Sequence, residues 1–255
     1  MVTKEEEATK YFPNIQGCFL LYNLKSKKFE KVIGDDVCQK RFPACSTFKV
    51  PLAVMAFDSG IVKDEKQVFK WDGKRSSYEN WNHDQTAFSW MHDSVVWVSQ
   101  RLTPMLGEKE IQKYLKAFNY GNQDMSGGLT QAWLNSPSGE KPSLKISAYE
   151  QVDFMKNLWQ GTFSVSKTAM EIARKMTYLE TSSKGFSLSG KTGSNFYDKE
   201  HKLQLGWFVA RIASGSSEYL VVTNISDLAP YSGHSMGGPR AKEITKQILT
   251  DLNLW

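Results

Sequence analysis

The spacing of apolar residues changes period twice along this chain. Gly17-Cys18-Phe19-Leu20-Leu21-Tyr22 is apolar, Asn23 to Lys28 is polar and turn-like, and Phe29 to Ile33 alternates, which predicts a hairpin over 17–34. From Phe48 the period is helical: Leu52, Ala53, Met55, Ala56 and Phe57 follow, and Asp58-Ser59-Gly60 supplies a stop. Between Asp58 and Asp93 the pattern breaks into polar stretches dense in aromatics, predicting long loops with short helices. Those aromatics either wall a ligand site or pin the loops to a core. Further helices are predicted from Ser94 to Leu102, opened by its serine, and from Glu108 to Phe118, with Ile111, Tyr114, Leu115 and Phe118 on one stripe. Gly127-Gly128 and Asn135-Ser136-Pro137-Ser138-Gly139 read as turns flanking Leu129 to Leu134. Ser147-Ala148-Tyr149-Glu150 is a capping box for a helix carrying Val152, Met155, Leu158 and Trp159, and another helix runs from about Lys167 to Tyr178.

Strand period then returns in Phe186 to Gly193, Leu203 to Ile212 and Tyr219 to Ile225, and Gly238 to Leu252 closes the chain as a helix. Strands at both ends and helices between them predict an α/β chain of the α+β kind. Residues 1–40 and 180–255 build one antiparallel sheet, flanked by terminal helices. Residues 41–179 form a mostly helical subdomain inserted into it, the whole making a single domain over 1–255.

Composition narrows the function classes. At 255 residues, 40% apolar and 23% charged, the sequence is that of a soluble globular protein with length enough for a real core. The net charge of +5 is spread along the chain without a basic block, so nucleic acid is not an expected partner and a small anion is. No apolar stretch approaches the roughly 18 residues of a membrane span. Met1-Val2-Thr3-Lys4-Glu5-Glu6-Glu7 lacks the apolar run of a signal peptide, so an exported protein is expected here in its processed form with an added methionine. His83, His92, His201 and His234 are isolated and three cysteines fit no zinc pattern, so no metal is expected. Cys38 and Cys45 either pair in an oxidising compartment, leaving Cys18 in a core strand, or are reduced and buried.

The candidate chemistry begins at Cys45-Ser46-Thr47-Phe48-Lys49. Ser46 is an N-cap or first-turn residue, and a lysine three residues later on a helix shares its face. A serine hydroxyl is inert until a base removes its proton, and Lys49 is placed to do so. Most Ser-x-x-Lys sequences are a capping serine and a surface lysine; here the lysine lies in an apolar helix. Two further elements follow in order, Ser94-Val95-Val96 and Lys191-Thr192-Gly193, the latter on a strand. Ser-x-x-Lys with a later Lys-Thr-Gly is an acyl-transfer signature.

With these elements the chain resembles a class D β-lactamase, the oxacillinase type, over almost its whole length. Ser94-Val95-Val96 is similar to that class's Ser-x-Val, without the asparagine of class A enzymes. Tyr120-Gly121-Asn122 matches its Tyr-Gly-Asn, Trp133-Leu134 its tryptophan-hydrophobe pair, and Arg240 its arginine before the last helix. The resemblance implies a β-lactamase/penicillin-binding transpeptidase-like fold and hydrolysis of β-lactams without a metal. It implies Ser46 as nucleophile and Lys49, N-carboxylated by carbon dioxide, as base for acylation and deacylation. Carbamate formation needs a neutral amine, which burial among Phe48, Val96 and Leu134 would favour. The Trp133 indole would donate to the carbamate, and Ser94 with Lys191 would return a proton to the leaving nitrogen. The N–H groups of Ser46 and Ser194 would form the oxyanion hole. Thr192 and Arg240 would bind the substrate carboxylate, Gly193 would let the substrate backbone approach, and Trp81, Met91, Val96 and Leu134 are candidates to line the cleft. Tyr120-Gly121-Asn122 is expected to be architectural.

The implied setting is periplasmic or secreted, after removal of a signal peptide, as a monomer or homodimer acting on small β-lactams. A β-lactam sensor domain, acylated without turnover, is the first alternative, against which Val96 stands where a polar residue is expected. A peptidoglycan transpeptidase is the second.

Overall fold

The computed structural model describes residues 4–135, 141–198 and 200–255. Part of the turn expected at Asn135 to Gly139, Ser136 to Gly139, lies outside them, as does Met1 to Thr3.

Helix α1 (Lys4–Tyr11) leads into the hairpin β1 (Ile15–Asn23) and β2 (Lys28–Ile33), followed by α2 (Asp35–Cys38). Short strand β3 (Phe42–Pro43) precedes a 3-10 turn over Cys45–Phe48, which runs directly into α3 (Lys49–Asp58). The aromatic loops hold β4 (Val68–Phe69), β5 (Gln85–Thr86) and α4 (Ala87–His92). Helices α5 (Val96–Leu106) and α6 (Glu108–Ala117) come next, then β6 (Lys145–Ile146), α7 (Ala148–Gln160) and α8 (Lys167–Met176). The chain returns to the sheet through β7 (Tyr178–Thr181), β8 (Ser187–Asp198), β9 (Leu203–Ser214) and β10 (Ser217–Asp227), and ends in α9 (Gly237–Asp251). The expected capping box of α7 is formed in full: Ser147 Oγ accepts from Glu150 N–H and Glu150 accepts from Ser147 N–H.

The main sheet is antiparallel, in the order β2-β1-β10-β9-β8-β7, so the two ends of the chain meet at β1 and β10. Both of its faces are buried, and strand alternation divides the side chains between two cores. Phe19 and Leu21 of β1, with Phe208, Ala210 and Ile212 of β9, pack under Ala241, Ile248 and Leu249 of α9. Cys18, Leu20 and Tyr22, with Trp207 and Val209, face the helical region around α3 and α7. This explains why the first strand read as an unbroken apolar run rather than an alternating one.

The cysteine pairing is neither of the two alternatives that the sequence left open, a Cys38–Cys45 bond or reduced thiols. Cys18 bonds to Cys38, and Cys45 is the buried free thiol. Sequence separation misled: α2 packs on β1, placing Cys38 beside the strand cysteine with Cα atoms 5.1 Å apart. The helix expected to open at Ser94 also begins later, at Val96, with Val95 as its N-cap, and it runs on through Pro104 to Leu106.

Closing a loop of 20 residues, the Cys18–Cys38 bridge contributes about 3 kcal/mol by restricting the unfolded chain. Replacing both cysteines by alanine is expected to lower the unfolding free energy by about that amount in urea titration. Non-reducing peptide mapping should find Cys18 joined to Cys38; a Cys38–Cys45 peptide would overturn the assignment.

Candidate active site

The nucleophile turn is set by short-range geometry. Cys45 holds the left-handed backbone region at φ 51°, and the tight turn that follows presents Ser46 at the head of α3. Thr47 Oγ1 donates to the Ala44 carbonyl at 2.5 Å and accepts from Gln151 Nε2 at 2.9 Å, which ties the turn to α7. Ser46 and Lys49, three residues apart, lie side by side, Nζ to Oγ 3.2 Å. Lys49 has no solvent exposure, and its neighbours along α3 from Val50 to Ala56 are buried. Burial, and then the positive charge of Lys191, hold the Lys49 amine well below its ordinary basicity.

Strand β8 brings the second lysine. Lys191 Nζ donates to Ser94 Oγ at 3.0 Å and to the Thr192 carbonyl at 2.9 Å. Burial lowers its pKa to about 7. Ser94 sits between α4 and α5 with φ 58°, a left-handed position that lets its hydroxyl meet the lysine instead of capping the helix. Gly193 has a reason within the fold besides the one expected. A Cβ there would lie 3.1 Å from Cys45 Cβ and 3.3 Å from Thr47, so the glycine admits the nucleophile turn itself. Ser194 Oγ accepts from Gly238 N–H at 2.9 Å, fastening β8 to α9, and a Cβ on Gly238 would strike that oxygen at 2.7 Å.

Trp133 is fully buried, its ring 5.1 Å from that of Phe48, the residue preceding Lys49. Its indole Nε1 has no hydrogen-bond partner among the described residues. A buried donor left unpaired costs about 1–3 kcal/mol, so it marks a place where an acceptor belongs. Tyr120-Gly121-Asn122 is a backbone clamp. Asn122 Nδ2 donates to the Ser143 carbonyl at 2.8 Å and its Oδ1 accepts from Lys145 N–H at 2.9 Å, while Tyr120 packs against Phe48.

A cleft of about 250 Å³ opens over this group, and Ser46, Ser94, Val96, Leu134, Thr192 and Ser194 line it. Trp81 joins them, stacked on Tyr78 at 4.7 Å and donating from Nε1 to the Asp93 carbonyl at 3.0 Å. Tyr78, Asp93, Met236 and Pro239 are lining residues that sequence reasoning missed. Asp93 stands directly before the Ser-x-Val element, and Tyr78 lies three residues before Trp81. Met91 lines a smaller cavity of about 180 Å³ behind β8, beside Lys191 and Thr192, rather than the cleft.

Arg240 is not brought to the cleft. Its guanidinium engages both carboxylate oxygens of the buried Asp227, at 2.8 and 3.1 Å, and stacks on Tyr231. It faces a separate cavity of about 710 Å³ shared with Lys10, Tyr11 and Leu228. The expectation that it binds a substrate carboxylate therefore gives way to an ion pair joining α9 to the end of β10.

Residues 17–250 match the family model for the penicillin binding protein transpeptidase domain. The β-lactamase OXA-1 of Escherichia coli is 38% identical over 254 residues, 97% of this chain and 88% of that protein. The solved class D β-lactamase BAT-2 superposes with a TM-score of 0.85 at 32% identity, covering 100% of this chain and 99% of that one. The C-terminal domain of the Bacillus licheniformis BlaR penicillin-receptor superposes with a TM-score of 0.87 at 30% identity, over 97% and 95% of the two chains.

Lys191 carries a pH signature. The folded protein holds it neutral above about pH 7, whereas the unfolded chain keeps it protonated up to the ordinary 10.5. The unfolded state therefore binds more protons in that window, and stability rises with pH across it. Lys191→Met should remove about 1.4 kcal/mol per pH unit from this slope, read by urea unfolding between about pH 7 and 10. Equal slopes in the two proteins would mean that the amine stays charged in the fold.

Proposed function

The chain belongs to the class D β-lactamases, and we propose that it opens penicillins through an acyl-enzyme on Ser46, with Lys49 carboxylated on its amine as the base for both half-reactions. The observation that carries this reading is the Ser46–Lys49 contact at 3.2 Å, made by a lysine with no exposure to water. The surroundings of Lys49 suit carbon dioxide in two respects. Burial favours the neutral amine that the addition requires, and Trp133 Nε1 is an unpaired buried donor for the resulting anion. When present, that group supplies an oxygen base beside Ser46, and Trp133 would hold it.

The chain's own residues do the rest. Ser46 Oγ gives up its proton towards Lys49 and attacks the lactam carbonyl carbon. The N–H groups of Ser46 and Ser194 receive the oxyanion, the first at the head of the helix. As the ring C–N bond breaks, the Ser94 hydroxyl gives its proton to the leaving nitrogen. Lys191, in contact with Ser94 Oγ at 3.0 Å and titrating near 7, replaces that proton. Water then gives a proton towards Lys49 as its oxygen attacks the ester carbonyl carbon, the bond to Ser46 Oγ breaks, and a proton passes from Lys49 back to the serine as the penicilloate leaves. With Arg240 held by Asp227, the substrate carboxylate falls to Thr192, which lines the cleft. The Cys18–Cys38 bridge supports a periplasmic or secreted location, and among the described residues no helix is long and apolar enough to cross a membrane.

A second reading, a receptor domain that is acylated and stops there, is favoured by the similarity to the BlaR domain. Steady-state hydrolysis of benzylpenicillin together with intact-mass spectrometry separates the two. Sustained turnover with only transient acylation is expected, and a stable adduct on Ser46 without turnover would establish the receptor. Lys49→Ala is expected to abolish turnover. Trp133→Ala should acylate but accumulate acyl-enzyme, because deacylation slows; wild-type deacylation in that variant would remove the role given to the indole.

A further inference from the structure

An acidic residue that the acyl transfer does not use lines the cleft. Asp93 lines it beside Ser46 and Ser94, and it is the acidic residue among those lining it. Its side chain is 23% exposed, so the carboxylate is neither sealed away nor fully solvated. Oδ1 meets His92 Nδ1 at 3.1 Å and Asn80 Nδ2 at 3.5 Å, whereas Oδ2 takes no hydrogen bond from the described residues. The position is fixed: the Asp93 carbonyl accepts from Trp81 Nε1, and Trp81 stacks on Tyr78, which is half exposed. Nor is the charge spent on Lys191, whose lowered basicity has burial as its cause. An aromatic wall therefore stands next to a partly exposed carboxylate whose backbone is tied to that wall.

We propose that Asp93 is a specificity determinant that favours penicillins whose acyl side chain carries an ammonium group beside an aromatic ring and disfavours those carrying a carboxylate there. The proposal deepens the β-lactam reading above and rests on it. A ring packed on Tyr78 and Trp81 brings its neighbouring substituent to the Asp93 side of the cleft. There an opposite charge is attracted, and a like charge must be desolvated against repulsion. Exposure and salt keep the effect moderate, at about tenfold in rate.

Three penicillins with the same benzyl side chain isolate the effect: benzylpenicillin with hydrogen on the α-carbon, ampicillin with an ammonium, and carbenicillin with a carboxylate. The readout is the ratio of kcat/KM for ampicillin to that for carbenicillin. In the unaltered protein it is expected to exceed one by about tenfold, shrinking as salt is raised. Asp93→Asn should bring the ratio close to one, and Asp93→Glu should retain it. A merely structural role for Asp93 would lower all three rates together and leave the ratio in place. A ratio unchanged in Asp93→Asn, or a ratio near one in the unaltered protein at low salt, overturns the proposal. Failure of benzylpenicillin to turn over would instead contradict the β-lactamase reading, and acylation rates from intact mass would then supply the same ratio. Should Asp93→Asn not fold, the salt dependence in the unaltered protein decides the matter.

Discussion

Lys49 has no exposed surface, and every element of the cleft is arranged around that constraint. A solvated lysine at this position would be an ammonium, able to donate to Ser46 but not to take its proton. Removing the side chain from water favours the neutral amine and leaves a small polar island inside an apolar helix. An uncompensated buried charge there would cost several kcal/mol, so the amine, the hydroxyl 3.2 Å away and the unpaired Trp133 indole have to be understood together.

Such burial requires close approach of the sheet and the helical region. Strand β8 comes against the nucleophile turn because Gly193 has no Cβ to meet Cys45 and Thr47. The same strand delivers Lys191 to Ser94 and is fastened to α9 through Ser194 and Gly238. On the far side, Thr47 and Gln151 bind the turn to α7, while Asn122 holds the segment leading into β6. The two lysines therefore differ in kind. Lys49 is sealed among apolar side chains, whereas Lys191 is hydrogen-bonded to Ser94 and to its own strand and titrates near neutrality. This difference suits the roles proposed above, a base at the nucleophile and a proton source at the leaving group.

The sheet, the helical insertion and the Ser46, Ser94 and Lys191 stations were legible in the sequence, because period, capping residues and motif order are local signals. What escaped was set by tertiary contact. Cys18 pairs with Cys38 because α2 lies on β1, a packing that sequence spacing does not encode. Ser94 was expected beside Lys191 but also as a helix opener; the helix begins at Val96, and a left-handed backbone at Ser94 is what turns the hydroxyl towards a lysine 97 residues away. Arg240 stands where a family arginine is expected, but Asp227, buried at the end of β10, claims its guanidinium. Gly193 was credited with room for substrate; that a Cβ there would also crowd the protein's own turn depends on tertiary contact. Asp93 carried no signal beyond its place beside Ser94.

The central claim is that a buried, neutral Lys49 takes up carbon dioxide and becomes the base. The most direct measurement is carbon-13 NMR of the protein equilibrated with labelled bicarbonate. The account predicts one protein-bound carbamate resonance at neutral pH that disappears in Lys49→Ala, fades on acidification as the amine protonates, and rises and falls with activity. A fully active protein without that resonance, or a resonance that survives the Lys49 substitution, would contradict it.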